Sequence, residues 1–182
     1  MTSQAEQNQI ARNLHDNLVA YWHDVDFNWG VNAGAHYTVD AVFEGGSVYY
    51  DGRSEIQEFY SWRAERGARV NVHLVGNFHC QFDSEKLAKV AWICTLYAHD
   101  GEAPQPSAAP ISITRVEDVY VLMDNGQWLC KHRKWNGLFK GGVATTSLSA
   151  EELAKRKAKN NERVDKCASR QMNEQTDERA DK

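Results

Sequence analysis

The sequence predicts a single α+β domain: a helix, two short strands and a second helix, then a long antiparallel meander whose curl around a helix leaves an interior space. Three observations carry this reading. Apolar residues recur at helical spacing only within the first 66 or so positions, strand-like runs fill most of 68–135, and large apolar residues nearly vanish after Lys155.

The elements follow in order. Ile10, Leu14, Leu18, Tyr21 and Val25 share one helical face, with Trp22 beside them, so the first helix spans about Gln4 to Val25. Phe27-Asn28-Trp29-Gly30 breaks it. Asp40–Glu44 and Ser47–Tyr50 read as short strands, the first ended by Gly45-Gly46 and the second by Asp51-Gly52. Ser54 and Gln57 stand at capping-box spacing before a second helix that carries Ile56, Phe59, Tyr60 and Trp62 and stops at Arg66-Gly67. Strands follow over about 68–82, 88–99, 111–123 and 128–135, the last two joined by the hairpin signal Asp124-Asn125-Gly126. The proline-bearing loop Asp100–Pro110 is placed to cover a pocket mouth.

Two regions are expected: a folded domain over 1–142 and a charged tail over 143–182, helical or disordered. Ser147–Glu152 has the shape of a helix start, but the residues beyond it bury too little apolar surface to offset ordering entropy.

Composition narrows the function. A net charge of −4 gives no basic footprint for nucleic acid or an anionic membrane surface. The N-terminal residues are polar and no apolar run reaches the roughly 20 residues needed to span a bilayer, so a cytoplasmic protein is expected. Cys80, Cys94, Cys130 and Cys167 are widely spaced, without CxxC, and read as free thiols. Neither GxGxxG nor HxxxH occurs, so no cofactor and no metal is expected.

The run Tyr37-Thr38-Val39-Asp40-Ala41-Val42-Phe43-Glu44, then Gly52-Arg53-Ser54-Glu55-Ile56, and later Asp124-Asn125-Gly126-Gln127-Trp128 with Arg133, resembles the SnoaL-like (nuclear transport factor 2-like) superfamily over about Ile10 to Gly142. The resemblance implies the cone-shaped α+β barrel of that superfamily. It is poorly specific for activity, because the fold hosts many chemistries. Within it, Asp26 and His73 match the aspartate and histidine of scytalone dehydratase and bile-acid dehydratase types. Val25 stands where those enzymes carry a tyrosine, and Glu44 where they carry another, although Tyr50 is close by. Arg115 and Glu117 fall near a serine and an asparagine of scytalone dehydratase. Diarylpropane formaldehyde lyases are similar in fold and need no cofactor. The resemblance also implies an oligomer, a trimer by analogy with scytalone dehydratase, with a dimer as the alternative.

The residues themselves support acid–base chemistry. Strict alternation along Val70–Cys80 sets Asn71, His73, Val75, Asn77 and His79 on one face, opposite Val70, Val72, Leu74, Gly76 and Phe78. His73 is the candidate general acid/base and His79 a surface residue. Asp26 is the candidate orienter of His73. Asp24 and Asp26 flank the apolar stripe on opposite edges, so periodicity leaves both open. Arg115 has two readings: an ion pair with Glu117 or across the sheet, or support for negative charge developing on substrate. Tyr21, Tyr37, Tyr50 and Tyr97, with Glu117, are candidates to line a substrate pocket; six tryptophans and seven tyrosines favour an aromatic cavity.

The expected function is a cofactor-independent lyase, eliminating water or formaldehyde from a small hydrophobic aromatic or polycyclic substrate. A ketosteroid-type isomerase using Asp26 is the first rival. A non-catalytic binding module or small accessory subunit is the second.

Overall fold

A computed structural model of the chain describes residues 3–141 and 147–161. Ser3 opens helix α1 (Gln4–Phe27): its hydroxyl accepts the Glu6 N–H, and the Glu6 carboxylate accepts the Ser3 N–H in return, completing a capping box. Leu14, Leu18, Tyr21, Trp22 and Val25 form the buried stripe. The helix continues two residues beyond Val25, which places Asp26 inside its last turn.

A short 3-10 turn, Ala33–His36, leads into β1 (Tyr37–Gly45), which reverses into β2 (Val48–Asp51). Helix α2 (Arg53–Ala64) starts at Gly52, whose φ of +89° suits glycine, and no side chain caps it. The Ser54–Gln57 spacing is therefore not a capping box, because Ser54 already lies inside the helix. Gln57 serves another purpose: Oε1 accepts the Gly34 N–H at 2.8 Å and Nε2 donates to the Gly30 carbonyl at 3.0 Å, tying α2 to the preceding connection.

The remaining strands are β3 (Arg69–Ser84), β4 (Leu87–Asp100), β5 (Ser112–Leu122) and β6 (Trp128–Lys140). The sheet order is β2-β1-β6-β5-β4-β3, and β3 to β6 form the expected antiparallel meander. Two details differ from the sequence reading. β1 pairs with β6 in parallel, so the sheet is mixed, and it stays open, with β2 and β3 as its edges.

β3 also departs from strict alternation. Between Gly76 and His79 its register against β4 shifts, and Asn77 takes a left-handed φ of +47°. This bulge bends the strand and exchanges its faces. Asn71, His73 and Val75 point inward before it, whereas Phe78, edge-on to the His15 ring of α1 at 5.2 Å, does so after it. His79 is exposed.

The sheet and α1 enclose Trp92, Tyr21, Tyr37, Leu14, Leu18, Ile56 and Val90, all almost fully buried. Contacts divide the chain into two units, Met1–Ser147 and Leu148–Lys182. In the second, residues 150–161 are helical, and the Ser149 hydroxyl accepts the Glu152 N–H at 3.2 Å. The expectations for 162–182, Cys167 among them, lie outside the described residues. Among the described residues no helix is long and apolar enough to cross a membrane.

Candidate active site

Before its bulge, β3 presents Arg69, Asn71 and His73 on one face, toward the last turn of α1. That turn supplies Asp26. Its Oδ1 lies 2.6 Å from His73 Nδ1, its Oδ2 accepts the His73 backbone N–H at 2.8 Å, and Asn71 Nδ2 donates to Oδ1 at 3.0 Å. The Asp26 side chain is 4% exposed and that of His73 12%. A carboxylate held by a backbone N–H and an amide cannot rotate away, so it fixes the imidazole. The other face of the question left open by periodicity is answered by Asp24, whose oxygens accept from Asn28 Nδ2, Asn32 N and Asn32 Nδ2, closing the end of the helix.

The His73 ring stacks on Trp22, with centroids 4.0 Å apart and an interplanar angle of 16°. Trp22 in turn meets Trp135 edge-on at 5.8 Å. These three line a cavity of about 410 Å³ together with Val25, Trp29, Phe43, Phe59, Tyr60, Leu96 and Thr114. The volume falls in the range of roughly 300–1,000 Å³ usual for small-molecule sites. Gly45 lets β1 and β6 close this wall: a Cβ there would lie 2.5 Å from Trp135 Cβ.

Behind the aromatic wall runs a buried polar chain. Arg133 donates through Nε and Nη2 to the two oxygens of Asp118, at 2.8 and 2.9 Å, and Trp92 Nε1 donates to Asp118 Oδ2 at 2.9 Å. Arg133 Nη1 donates to Tyr37 Oη at 2.9 Å, Tyr37 Oη to Tyr21 Oη at 3.1 Å, and the Tyr21 and Tyr60 hydroxyls are hydrogen-bonded. Arginine only donates, so Tyr37 accepts from Arg133 and passes its own proton to Tyr21, while either hydroxyl can donate in the Tyr21–Tyr60 bond. Burial raises the pKa of all three phenols well above the usual tyrosine value and keeps them neutral, while the Asp118 charge raises that of Arg133 against its burial.

The predicted site residues thus separate. Asp26 and His73 come together at the cavity wall. Tyr21 and Tyr37 lie behind it, fully buried in the polar chain. Tyr50 packs between Phe43 and Phe59 and does not line the cavity. Tyr97 lies on the outer face, in a groove formed with Val70, His99 and Gln105–Ala109, so the 100–110 loop covers that groove and not the main cavity. Arg115 and Glu117 also miss the cavity: the side chains are 53% and 45% exposed and pair with each other at 3.1 Å. Strand alternation explains this, because Thr114, Val116 and Asp118 take the inner face of β5. Glu44 likewise faces His132, at 3.0 Å, while its neighbour Phe43 lines the cavity.

Burial raises the Cys80 thiol to about 11 and the Cys94 thiol to about 12, so neither is a thiolate nucleophile at neutral pH. Among the described residues no group of three or more His, Cys, Asp or Glu side chains is placed to hold a metal ion.

Residues 10–134 match the SnoaL-like domain. The chain belongs to the SnoaL-like domain family. Solved structures share its fold at low identity. A candidate scytalone dehydratase from Novosphingobium aromaticivorans is 18% identical, with 80% of this chain and 96% of that one covered and a TM-score of 0.68. ActVI-ORFA from Streptomyces coelicolor is 14% identical over 72% and 98%, with a TM-score of 0.62. A protein of unknown function from Mycobacterium tuberculosis, Rv3472(D26N), is 17% identical over 76% and 84%, with a TM-score of 0.61. No curated protein matches the sequence.

Several residues of this SnoaL-like site escaped sequence reasoning. Trp22 and Tyr60 read only as part of the apolar faces of their helices, and Trp135 and Arg63 have no assigned role in the site. Strand alternation places Asn71 on the face of His73 without giving it a role, and the same alternation carried one step back could have found Arg69.

Proposed function

We propose that this SnoaL-like protein is a cofactor-independent lyase that eliminates water or formaldehyde from a hydrophobic aromatic substrate. One observation carries the reading: His73 stands in the wall of an aromatic cavity with Nδ1 engaged by a buried carboxylate. A neutral imidazole that donates Nδ1–H to Asp26 has its lone pair on Nε2, the form suited to accept a proton. Asp26 then stabilises the imidazolium without itself taking the proton.

Both eliminations need proton transfers only. In dehydration, His73 takes a C–H proton, its electron pair forms the alkene, and the hydroxyl leaves with a returned proton as water. In the formaldehyde variant, His73 takes the proton of a hydroxymethyl group. The C–C bond then breaks to release formaldehyde, and its electrons form the alkene as a neighbouring benzylic hydroxyl departs as water. Trp22 stacked on His73 and the aromatic wall keep water away and raise the weight of each charge interaction. The structural likeness to a candidate scytalone dehydratase supports the same class.

The isomerase reading asks a free carboxylate of the cavity. Asp26 does not fit that role, because its two oxygens are engaged by His73 and Asn71. The reading further places the enzyme in the cytoplasm, acting in aromatic catabolism and self-associating as a trimer through the outer sheet face, where Leu74 is 50% and Tyr97 39% exposed.

The test is incubation of chelator-treated protein, without cofactor, with a panel of aromatic diols and hydroxylated polycyclic compounds, following product mass. Loss of water or formaldehyde by the wild type and not by His73→Ala is the expected result. Conversion at unchanged mass, or turnover indifferent to His73, overturns the lyase.

A further inference from the structure

The cavity that holds His73 has a second, oppositely furnished end. Arg69 and Arg63 line it, and no carboxylate side chain is among the cavity's described lining residues. Both guanidinium side chains are nearly buried, 13% exposed for Arg63 and 8% for Arg69. Their shared partner is Asp100, 72% exposed, which uses the single oxygen Oδ1 for both, 2.9 Å from Arg63 Nη2 and 2.8 Å from Arg69 Nη1. Arg63 Nε, buried, has no hydrogen-bond partner.

Two desolvated cations sharing one oxygen of a solvated carboxylate are under-compensated, and a buried N–H without an acceptor loses the hydrogen bond it made with water. The strain shows in Arg63, whose pKa is lowered by burial and then by the neighbouring Arg69. Such a pair of planar donors suits a carboxylate, which offers two acceptor oxygens in one plane. The rest of the cavity offers aromatic surface.

We propose that the cavity binds an aromatic carboxylate, with its acid group between Arg63 and Arg69 and its ring system against Trp22, Trp135 and Phe59. The inference rests on the cavity being the substrate site and not on which group is eliminated. Spacing gives the length of the molecule. Four residues of β3 separate Arg69 from His73, roughly 13 Å at about 3.3 Å per residue. A carboxylate at one end and a reacting carbon at the other therefore suit two linked rings better than one.

The probes are biphenyl-4-carboxylate and its neutral isostere biphenyl-4-carboxamide, titrated calorimetrically into the full chain. The carboxylate should bind at least tenfold more tightly than the amide, with a preference that shrinks at high salt. Arg63→Gln and Arg69→Gln should each remove most of that preference. Asp100→Asn, which deletes the competing anion, should increase it; a folding defect would not produce this opposite sign. The readout is binding alone, without turnover, which separates this inference from the elimination chemistry. Equal binding of the two probes, binding of neither, or a preference that survives both arginine substitutions overturns the proposal.

Discussion

Asp118→Asn should be among the most damaging single substitutions in this protein, although it only replaces one carboxylate oxygen by an NH2 group and adds almost no bulk. Asp118 and Arg133 have side chains 0% and 2% exposed, and the carboxylate accepts two guanidinium hydrogen bonds and the Trp92 indole N–H. Neutralising it leaves a buried arginine without its counter-charge, which costs about 3–5 kcal/mol. A domain of this size is stabilised by about 5–15 kcal/mol in total, so the loss is a large fraction of it. With a urea m-value of about 2 kcal/mol/M, the midpoint should fall by at least ~1.5 M. Urea unfolding followed by tryptophan fluorescence reads this directly. The double variant Asp118→Leu/Arg133→Met should recover much of the loss, because it removes both charges from the interior. A midpoint shift below about 0.5 M for Asp118→Asn, or a double variant no better than the single one, would refute the buried-pair reasoning.

Three further expectations are simpler. His36 sits edge-on to Tyr21 at 5.0 Å, and burial, then Arg133, lowers its pKa below the usual 6.5. The unfolded chain therefore binds the proton more readily, so the neutral ring's contribution is present above the unfolded value and lost as pH falls through the lower folded one; wild type should lose more stability between pH 7.5 and 5 than His36→Gln, and parallel losses would contradict this. Gly45→Ala, whose Cβ would lie 2.5 Å from Trp135 Cβ, should cost about 1–3 kcal/mol, read as a lower melting temperature, and a neutral effect would show that β1 and β6 have room there. Cys94 and Cys130, with thiols raised by burial, should resist iodoacetamide at pH 7.5 in the folded protein and react in urea, as peptide mass mapping would show.

What the sequence made legible was decided by local pattern. The helical stripe of Leu14, Leu18, Tyr21 and Trp22 and the glycine-marked hairpin at Gly126 depend on nearest neighbours, and the α+β class with its helix and strand order follows from them. Parallel pairing of β1 with β6 joins residues about ninety positions apart, and no local pattern encodes it. The bulge at Asn77 was equally hidden: a residue in a left-handed conformation reverses the faces of half a strand, and a single asparagine between Gly76 and Phe78 leaves the alternating pattern intact on paper. His73 and Asp26 stood out because they match the histidine and aspartate of the dehydratase types the sequence resembles; periodicity alone left Asp24 and Asp26 equal. Arg115 stood out as a charged residue within an apolar strand and proved to face outward, since alternation alone does not say which face of a sheet is the inner one. The polar chain from Arg133 to Tyr60 draws on β6, β1, α1 and α2 at once, so only the assembled fold reveals it.

The central claim is that Asp26 holds His73 with Nδ1 protonated and Nε2 bare, and ring-nitrogen NMR tests this without any substrate. Long-range proton–nitrogen correlation spectra of uniformly ¹⁵N-labelled protein, assigned by comparison with His73→Gln, distinguish the two tautomers of the neutral ring. A protonated Nδ1 in the wild type, lost in Asp26→Asn, is the predicted result. A neutral His73 protonated at Nε2 in the wild type would contradict the account, because the nitrogen left for the substrate would then have no lone pair to accept a proton.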